Sequence, residues 1–209
     1  MIPTGLLGGS FNPAHHAHRR ISLFACRALG LDEMWWLVSP GNPLKPREGM
    51  APLPARLASA RAMARRAPIR ATAIERELGT RYTAETLARL VRKYPKRRFI
   101  WLMGADNLAE FHRWRDWRKI AALVPIAVIA RPAYTDHALA APAMGWLRRF
   151  VRPAGQAKQW TTWRPPALVL LRFRLDPTSA TRLRAENPGW FLSLSTMAER
   201  DSVTRRPVV

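Results

Sequence analysis

His15 and His18 stand three residues apart, directly after the stretch Gly8-Gly9-Ser10-Phe11-Asn12-Pro13. On a helix that spacing puts two imidazoles on one face within a single turn, where both can reach one phosphate. Adjacent glycines let the backbone approach a ligand closely. A helix opening just after them aims free amides and the positive end of its dipole at the same place. The arrangement therefore suits an anionic guest held by amides, with imidazoles to hydrogen-bond its oxygens. A tight turn with surface or capping histidines is the plainer reading of the same residues.

Thr178-Ser179-Ala180-Thr181-Arg182-Leu183-Arg184 is a second candidate. Hydroxyls that open a helix, with an arginine one turn in, can grip phosphate oxygens by amides, hydroxyls and a guanidinium together. A capped amphipathic helix would use the same pattern. Between the two lie weaker signals. Asp106 follows Gly104 after an apolar run, placed to meet ribose hydroxyls or a metal. Thr83 can cap a helix carrying Leu87, Leu90 and Val91, whose free amides suit a carboxylate as well as a phosphate. Trp114 and Trp117 are three apart on an expected helical face, a pattern that more often means packing than a ligand platform. Lys45 sits in the proline-rich loop 40–46, where a solvated lysine on a turn is an equal reading.

These residues need a frame. Leu6-Leu7 belongs to a short buried strand, and Ile21, Leu23, Phe24, Ala25, Ala28 and Leu29 recur at helical spacing after it. Further strands are expected at Glu33–Ser39, Ile69–Ile74, Phe99–Met103, Pro125–Ala130 and Leu168–Phe173, with a helix over 52–66. Continuous apolar strands alternating with helices predict an α/β protein with a parallel sheet. In open sheets of this kind ligands gather at the carboxyl ends of the strands, where the candidates fall. Residues 133–166 offer a helix near Leu147 and otherwise irregular chain, with no chemistry assigned. The stretch after 185 is broken by Asn187-Pro188-Gly189 and reads as a loosely packed extension to Val209.

The first segment resembles the Gly-Gly-Ser/Thr-Phe-Asp-Pro-x-His-x-Gly-His signature of the nicotinate mononucleotide adenylyltransferases, within the nucleotidylyltransferase superfamily. Asn12 replaces the usual Asp and Ala17 the usual Gly, and both histidines are kept. The later segment resembles the family's Ser-Ser/Ala-Thr-x-Ile/Leu-Arg motif. Arg81 to Leu87 is similar to its Tyr-Thr-x-Asp/Gln-Thr-Leu segment. The resemblance runs from about residue 5 to 185, and its first and last motifs are specific in combination. It implies a Rossmann-like nucleotidylyltransferase fold, a parallel sheet flanked by helices on both faces. It implies transfer of the adenylyl group of ATP to nicotinate mononucleotide, with release of pyrophosphate, in NAD biosynthesis. His15 and His18 would be catalytic. Gly8, Gly9, Ser10, Phe11, Gly104, Asp106, Ser179, Thr181 and Arg184 would hold ATP together with the histidines. Lys45, Tyr82, Thr83, Trp114 and Arg131 would hold the mononucleotide, with Trp114 stacked on the pyridine ring and Trp117 left to packing. Mg²⁺ would arrive bound to substrate phosphates, with no metal site on the protein. Another adenylyl- or cytidylyltransferase of the superfamily, with nicotinamide mononucleotide or phosphopantetheine as acceptor, is the nearest alternative, and a non-catalytic basic nucleic-acid-binding protein a more distant one.

Composition sets the remaining bounds. At 209 residues the chain is long enough for one well-buried domain and shows no break that demands two. The formal charge of +21 comes mostly from arginines scattered along nearly every segment. That favours anionic ligands in general, but with no clustered basic stripe or binding module it gives no specific nucleic-acid partner. Cys26 is alone, so no internal disulfide forms and a reducing cytoplasm is the expected setting. No apolar run approaches the length of a membrane span, and the first strand begins too early for a signal peptide.

Overall fold

The computed structural model describes residues 1–41, 49–130, 139–173, 180–194 and 199–208. Its first half is built from β1 (Ile2–Gly9), α1 (His16–Leu29), β2 (Glu33–Val38), α2 (Leu53–Ala64), β3 (Ile69–Thr72), α3 (Ile74–Leu78), α4 (Thr83–Lys93) and β4 (Arg97–Gly104). Then come α5 (Ala105–Glu110), a 3₁₀ turn (Phe111–Arg113), α6 (Trp117–Leu123), β5 (Ile126–Ala130), α7 (Met144–Leu147) and β6 (Val151–Arg152). A long 3₁₀ segment (Ala154–Thr162), β7 (Leu168–Arg172) and α8 (Ala180–Glu186) complete the body, and β8 (Glu199–Arg200) with β9 (Pro207–Val208) forms a small hairpin.

Strands β1 to β7 make one sheet in the order β3-β2-β1-β4-β5-β7-β6, every pair parallel. Parallel pairing demands crossovers, and these carry the helices onto both faces. One core packs Leu6, Trp35, Phe99, Trp101 and Val128 against α4 and α6; the other packs Trp36, Ile100, Leu102 and Ile129 against α1 and α2. The apolar runs anticipated as strands are buried on both sides for this reason. Strand order reverses direction between β1 and β4, which opens a crevice at their carboxyl ends, the place where such sheets hold ligands. Both glycine-bearing segments, Gly8-Gly9 and Gly104, leave the sheet there.

Two expectations change. Residues 139–166 hold a core anchor: Trp160 is fully buried in the 3₁₀ segment and its indole N–H donates to the Leu29 carbonyl at 2.9 Å. Residues 199–208 are docked, not loose. Asp201 is 2% exposed and accepts hydrogen bonds from Thr72 Oγ1 (2.8 Å), Ala73 N (2.7 Å), Val203 N (2.8 Å) and Thr204 N (2.9 Å), tying the hairpin to the start of α3. Among the described residues no helix is long and apolar enough to cross a membrane.

Candidate functional site

The turn after β1 is shaped by aromatic packing. A Cβ on Gly8 would lie 2.6 Å from Trp101 Cη2, and one on Gly9 would lie 3.3 Å from the Phe11 ring. The expected reason for these glycines was close approach of a ligand; the space their side chains would fill is in fact taken by Trp101 and Phe11. Phe11 turns the chain with φ 47; the residue is 1% exposed and its ring stacks on Trp36 with centroids 5.0 Å apart. His18 packs against both rings of this aromatic shelf, its centroid 4.9 Å from that of Phe11 and 6.1 Å from that of Trp36.

His15 occupies the N-cap of α1 and His18 its third position. The His15 amide donates to His18 Nδ1 at 3.2 Å, and the two ring centroids are 3.8 Å apart, so the spacing in sequence does bring the imidazoles together. Because Nδ1 is an acceptor here, the neutral His18 ring carries its proton on Nε2, free to donate outward. Burial, and second the nearby His15, lower the His18 pKa to about 3. His18 thus acts at neutral pH as a hydrogen-bond donor and not as a cation. His15 is 8% exposed and His18 half-buried, so His18 offers a ligand more surface. Asn12 does not cap the turn. Its side chain spans to the segment before α2, donating to the Gly49 carbonyl (2.8 Å) and accepting from the Ala51 amide (3.2 Å). Ala17 is buried in the first turn of α1.

The second motif reaches the first. Arg184 Nη1 donates to the Asn12 carbonyl at 2.7 Å, and its Nη2 lies 3.4 Å from Thr181 Oγ1. Thr181 and Arg184 therefore stand beside the turn that leads into His15 and His18. Ser179, Lys45 and Arg131 lie outside the described residues.

On the opposite face of β1 the remaining candidates gather around Trp101. Its indole fills the space beside Gly8 and meets Trp114 edge to face, centroids 6.3 Å apart. Trp114 does not lie on a helix with Trp117 as expected: it ends the 3₁₀ turn, and Asp116 at φ 54 separates it from α6. That break leaves Trp114 partly exposed over Phe111, while Trp117 packs on Phe111 and Trp146. Arg115 lays its guanidinium over the Tyr82 ring at 4.5 Å, joining the Trp114 segment to the start of α4. Tyr82, not Thr83, holds the N-cap of α4, and neither residue supplies a side-chain cap; Thr86 Oγ1 instead donates to the Tyr82 carbonyl at 3.2 Å and pairs with Thr80 Oγ1 at 2.8 Å. At the end of β4, the exposed Asp106 folds its carboxylate back over Gly104, beside the β1 turn because β1 and β4 pair.

Two residues here carried no sequence signal. Glu75 in α3 reaches Ser39 and Thr86, and burial pushes its carboxyl up to about 7, outweighing its hydrogen bonding with those two side chains. Arg56 in α2 is 2% exposed beneath the β1 turn. It is one of two arginines in an Ala-rich helix, so no spacing marks it.

A family model described as cytidylyltransferase-like matches residues 6–186. A relative from Erythrobacter litoralis strain HTCC2594, named "Probable nicotinate-nucleotide adenylyltransferase", is 58% identical over 207 residues, covering 99% of this chain and 94% of the relative. One of the same name from Bradyrhizobium sp. strain BTAi1 is 49% identical over 186 residues, covering 89% and 97%. The solved Plasmodium falciparum nicotinic acid mononucleotide adenylyltransferase complexed with NaAD shares the fold, with TM-score 0.63 over 88% of this chain and 83% of that one, at 14% identity. The match spans both motifs and the sheet that brings them together, and on it the chain belongs to the cytidylyltransferase-like family and, within it, to the nicotinate-nucleotide adenylyltransferases.

Proposed function

We propose that this chain transfers the adenylyl group of ATP to nicotinate mononucleotide, giving nicotinate adenine dinucleotide and pyrophosphate. The observation that carries the reading is the 2.7 Å hydrogen bond from Arg184 to the Asn12 carbonyl, which sets the phosphate-gripping helix against the histidine turn. Membership of the family supplies the acceptor.

In this reading the 5′-phosphate of the mononucleotide attacks the α-phosphorus of ATP; the bond to the β-phosphate bridging oxygen breaks and pyrophosphate leaves. The nucleophile is already an oxyanion, so no general base is needed. The protein's work is alignment and stabilisation of charge on the α-phosphoryl oxygens. His18 Nε2–H donates to that group from a shelf of Phe11 and Trp36, and His15 holds the His18 ring through its amide. Gly8, Gly9, Ser10 and Phe11 offer backbone amides, and Thr181, Arg184 and Ser179 hold the β- and γ-phosphates. Gly104 and Asp106 serve the nucleotide's ribose. The mononucleotide lies on the Trp101 side of β1, its ring on Trp114 and its carboxylate at the α4 N-terminus by Tyr82 and Thr83; the resemblance adds Lys45 and Arg131 to the residues that bind it. Mg²⁺ comes with ATP and screens the phosphates. An ion held mainly by phosphate oxygens and water needs no protein cage.

The test is to incubate the purified protein with ATP, Mg²⁺ and nicotinate mononucleotide, nicotinamide mononucleotide or phosphopantetheine, and to follow pyrophosphate. Release should be fastest with nicotinate mononucleotide. Release with none of the acceptors, or a clear preference for phosphopantetheine, would sink the assignment.

A further inference from the structure

Arg56 is buried to 2% exposure, yet among the described residues every partner it has is a neutral carbonyl. Nε donates to Ala51 O at 2.8 Å, Nη1 to Ser10 O at 2.8 Å and Ser39 O at 2.7 Å, and Nη2 to Pro40 O at 3.4 Å. Among the described residues no carboxylate lies within ion-pair reach of it. Burial alone lowers its pKa to about 10, so the group remains cationic at neutral pH. A buried charge with no counter-charge is costly; the carbonyl dipoles offset part of that cost, and an anion close by would offset more.

The carbonyls it binds say where that anion would be. Ser10 and Ser39 end β1 and β2 at the carboxyl edge of the sheet, and the same guanidinium holds both. Pulling on the Ser10 carbonyl polarises the peptide unit shared with Phe11 and makes the Phe11 N–H a stronger donor. That amide has no acceptor among the described residues. Ala51, whose carbonyl Arg56 binds, donates its own amide to the Asn12 side chain, and Arg184 binds the Asn12 carbonyl from the other side. Two guanidiniums thus flank the turn, one at the surface and one beneath it.

We infer that Arg56 is a positioning residue of the nucleotide site whose uncompensated charge takes the polyphosphate of the bound nucleotide as its counter-ion. The inference rests on the nucleotide-binding reading above. It separates Arg56 from a purely structural cross-link, because a cross-link would affect all ligands alike, whereas a counter-ion effect grows with ligand charge.

The experiment measures binding of ATP, ADP and adenosine to the parent, Arg56→Gln and Arg56→Lys by calorimetry, with thermal melts to confirm folding. Arg56→Gln should weaken ATP about tenfold, ADP less, and adenosine less than twofold, the scale expected for losing one nearby charge. Arg56→Lys keeps the charge and loses the fork, so its ratio of ATP to adenosine affinity should stay within about twofold of the parent's even if it melts earlier. Equal losses for all three ligands in Arg56→Gln would overturn the inference. If that variant does not fold, a collapsed ATP-to-adenosine ratio in folded Arg56→Lys would overturn it equally. Failure of the parent itself to bind ATP would remove the nucleotide reading and this inference with it; an unchanged variant beside a binding parent would remove this inference alone.

Discussion

The guanidinium of Arg184 and the backbone carbonyl of Asn12 meet at 2.7 Å although 172 positions separate them in the chain. The contact makes α8 part of the histidine site, because Asn12 begins the turn that delivers His15 and His18. Arg184→Ala should therefore raise KM for ATP about tenfold, the scale of one charge-assisted contact to phosphate, and leave KM for the mononucleotide within twofold. Arg184 is only half-buried, so the melting temperature should barely move. Steady-state kinetics with each substrate varied in turn checks this, and an unchanged KM for ATP would detach α8 from the triphosphate.

His18 carries the next expectation. Its Nε2–H is a donor fixed in place before the substrate arrives, because Nδ1 is held by the His15 amide and the ring by Phe11. Losing one such donor costs about a hundredfold in turnover. His18→Ala should show that loss in kcat with ATP affinity changed only a few fold. A normal kcat would mean that the ring is there to cap α1 and nothing more.

The same residue and Glu75 should give opposite pH dependences of stability. The His18 pKa falls to about 3 in the fold, from 6.5, so between those values the unfolded chain binds the extra proton and stability rises with pH. The Glu75 pKa rises to about 7, from 4.5, so across that interval the folded chain binds the extra proton and stability falls as pH rises. The two effects oppose one another from about pH 4.5 to 6.5 and largely cancel in the parent. His18→Gln keeps a capping side chain at the third helical position without titrating, and should become less stable as pH rises. Glu75→Gln should become more stable over the same interval. Each slope should amount to roughly 1–2 kcal/mol across those two pH units. Urea unfolding at pH 4.5, 5.5 and 6.5 reads it directly, and parallel curves for parent and both variants would contradict it.

The parts of the site that follow simple local rules were legible in the chain. Apolar runs such as Phe99–Met103 became central strands because parallel strands are buried on both faces. His15 and His18 met because a helix brings positions three apart together. What escaped depends on groups that leave no local trace. Trp114 left its expected helix because Asp116 takes a left-handed conformation that no propensity demands. Trp160 anchors the core from a 3₁₀ segment, which has no amphipathic stripe of helical period to reveal it. Arg56 resembles the exposed Arg61 of the same helix until its partners, the carbonyls of Ser10, Ser39 and Ala51, are seen in space.

Trp114 tests the other half of the site. Its ring is partly exposed, braced edge to face by Trp101 and Phe111 and next in chain to the Arg115 that covers Tyr82. A stacked aromatic contributes on the order of 1–3 kcal/mol to a bound ring. Trp114→Ala should raise KM for the mononucleotide at least tenfold and KM for ATP no more than twofold. Trp114→Phe should recover most of the difference, since a π-face is restored. Equal increases for both substrates would indicate a general loosening of the Trp101 side instead of a lost platform.

Asp201 tests whether the C-terminal hairpin is structural rather than part of the site. Its carboxylate accepts four hydrogen bonds, two from Thr72 and Ala73 at the start of α3 and two from its own turn, in a setting 2% exposed. Asp201→Ala leaves buried donors without acceptors, which costs about 2–4 kcal/mol. For a chain of this size that is a fall of roughly 5–15 °C in melting temperature. Asp201→Asn keeps one carbonyl oxygen and should lose about half as much. Because α3 also carries Glu75, a change confined to stability requires that KM for both substrates, measured well below the melting point, match the parent. A melting temperature within a degree of the parent's would show that the hairpin adds nothing to the sheet edge it covers.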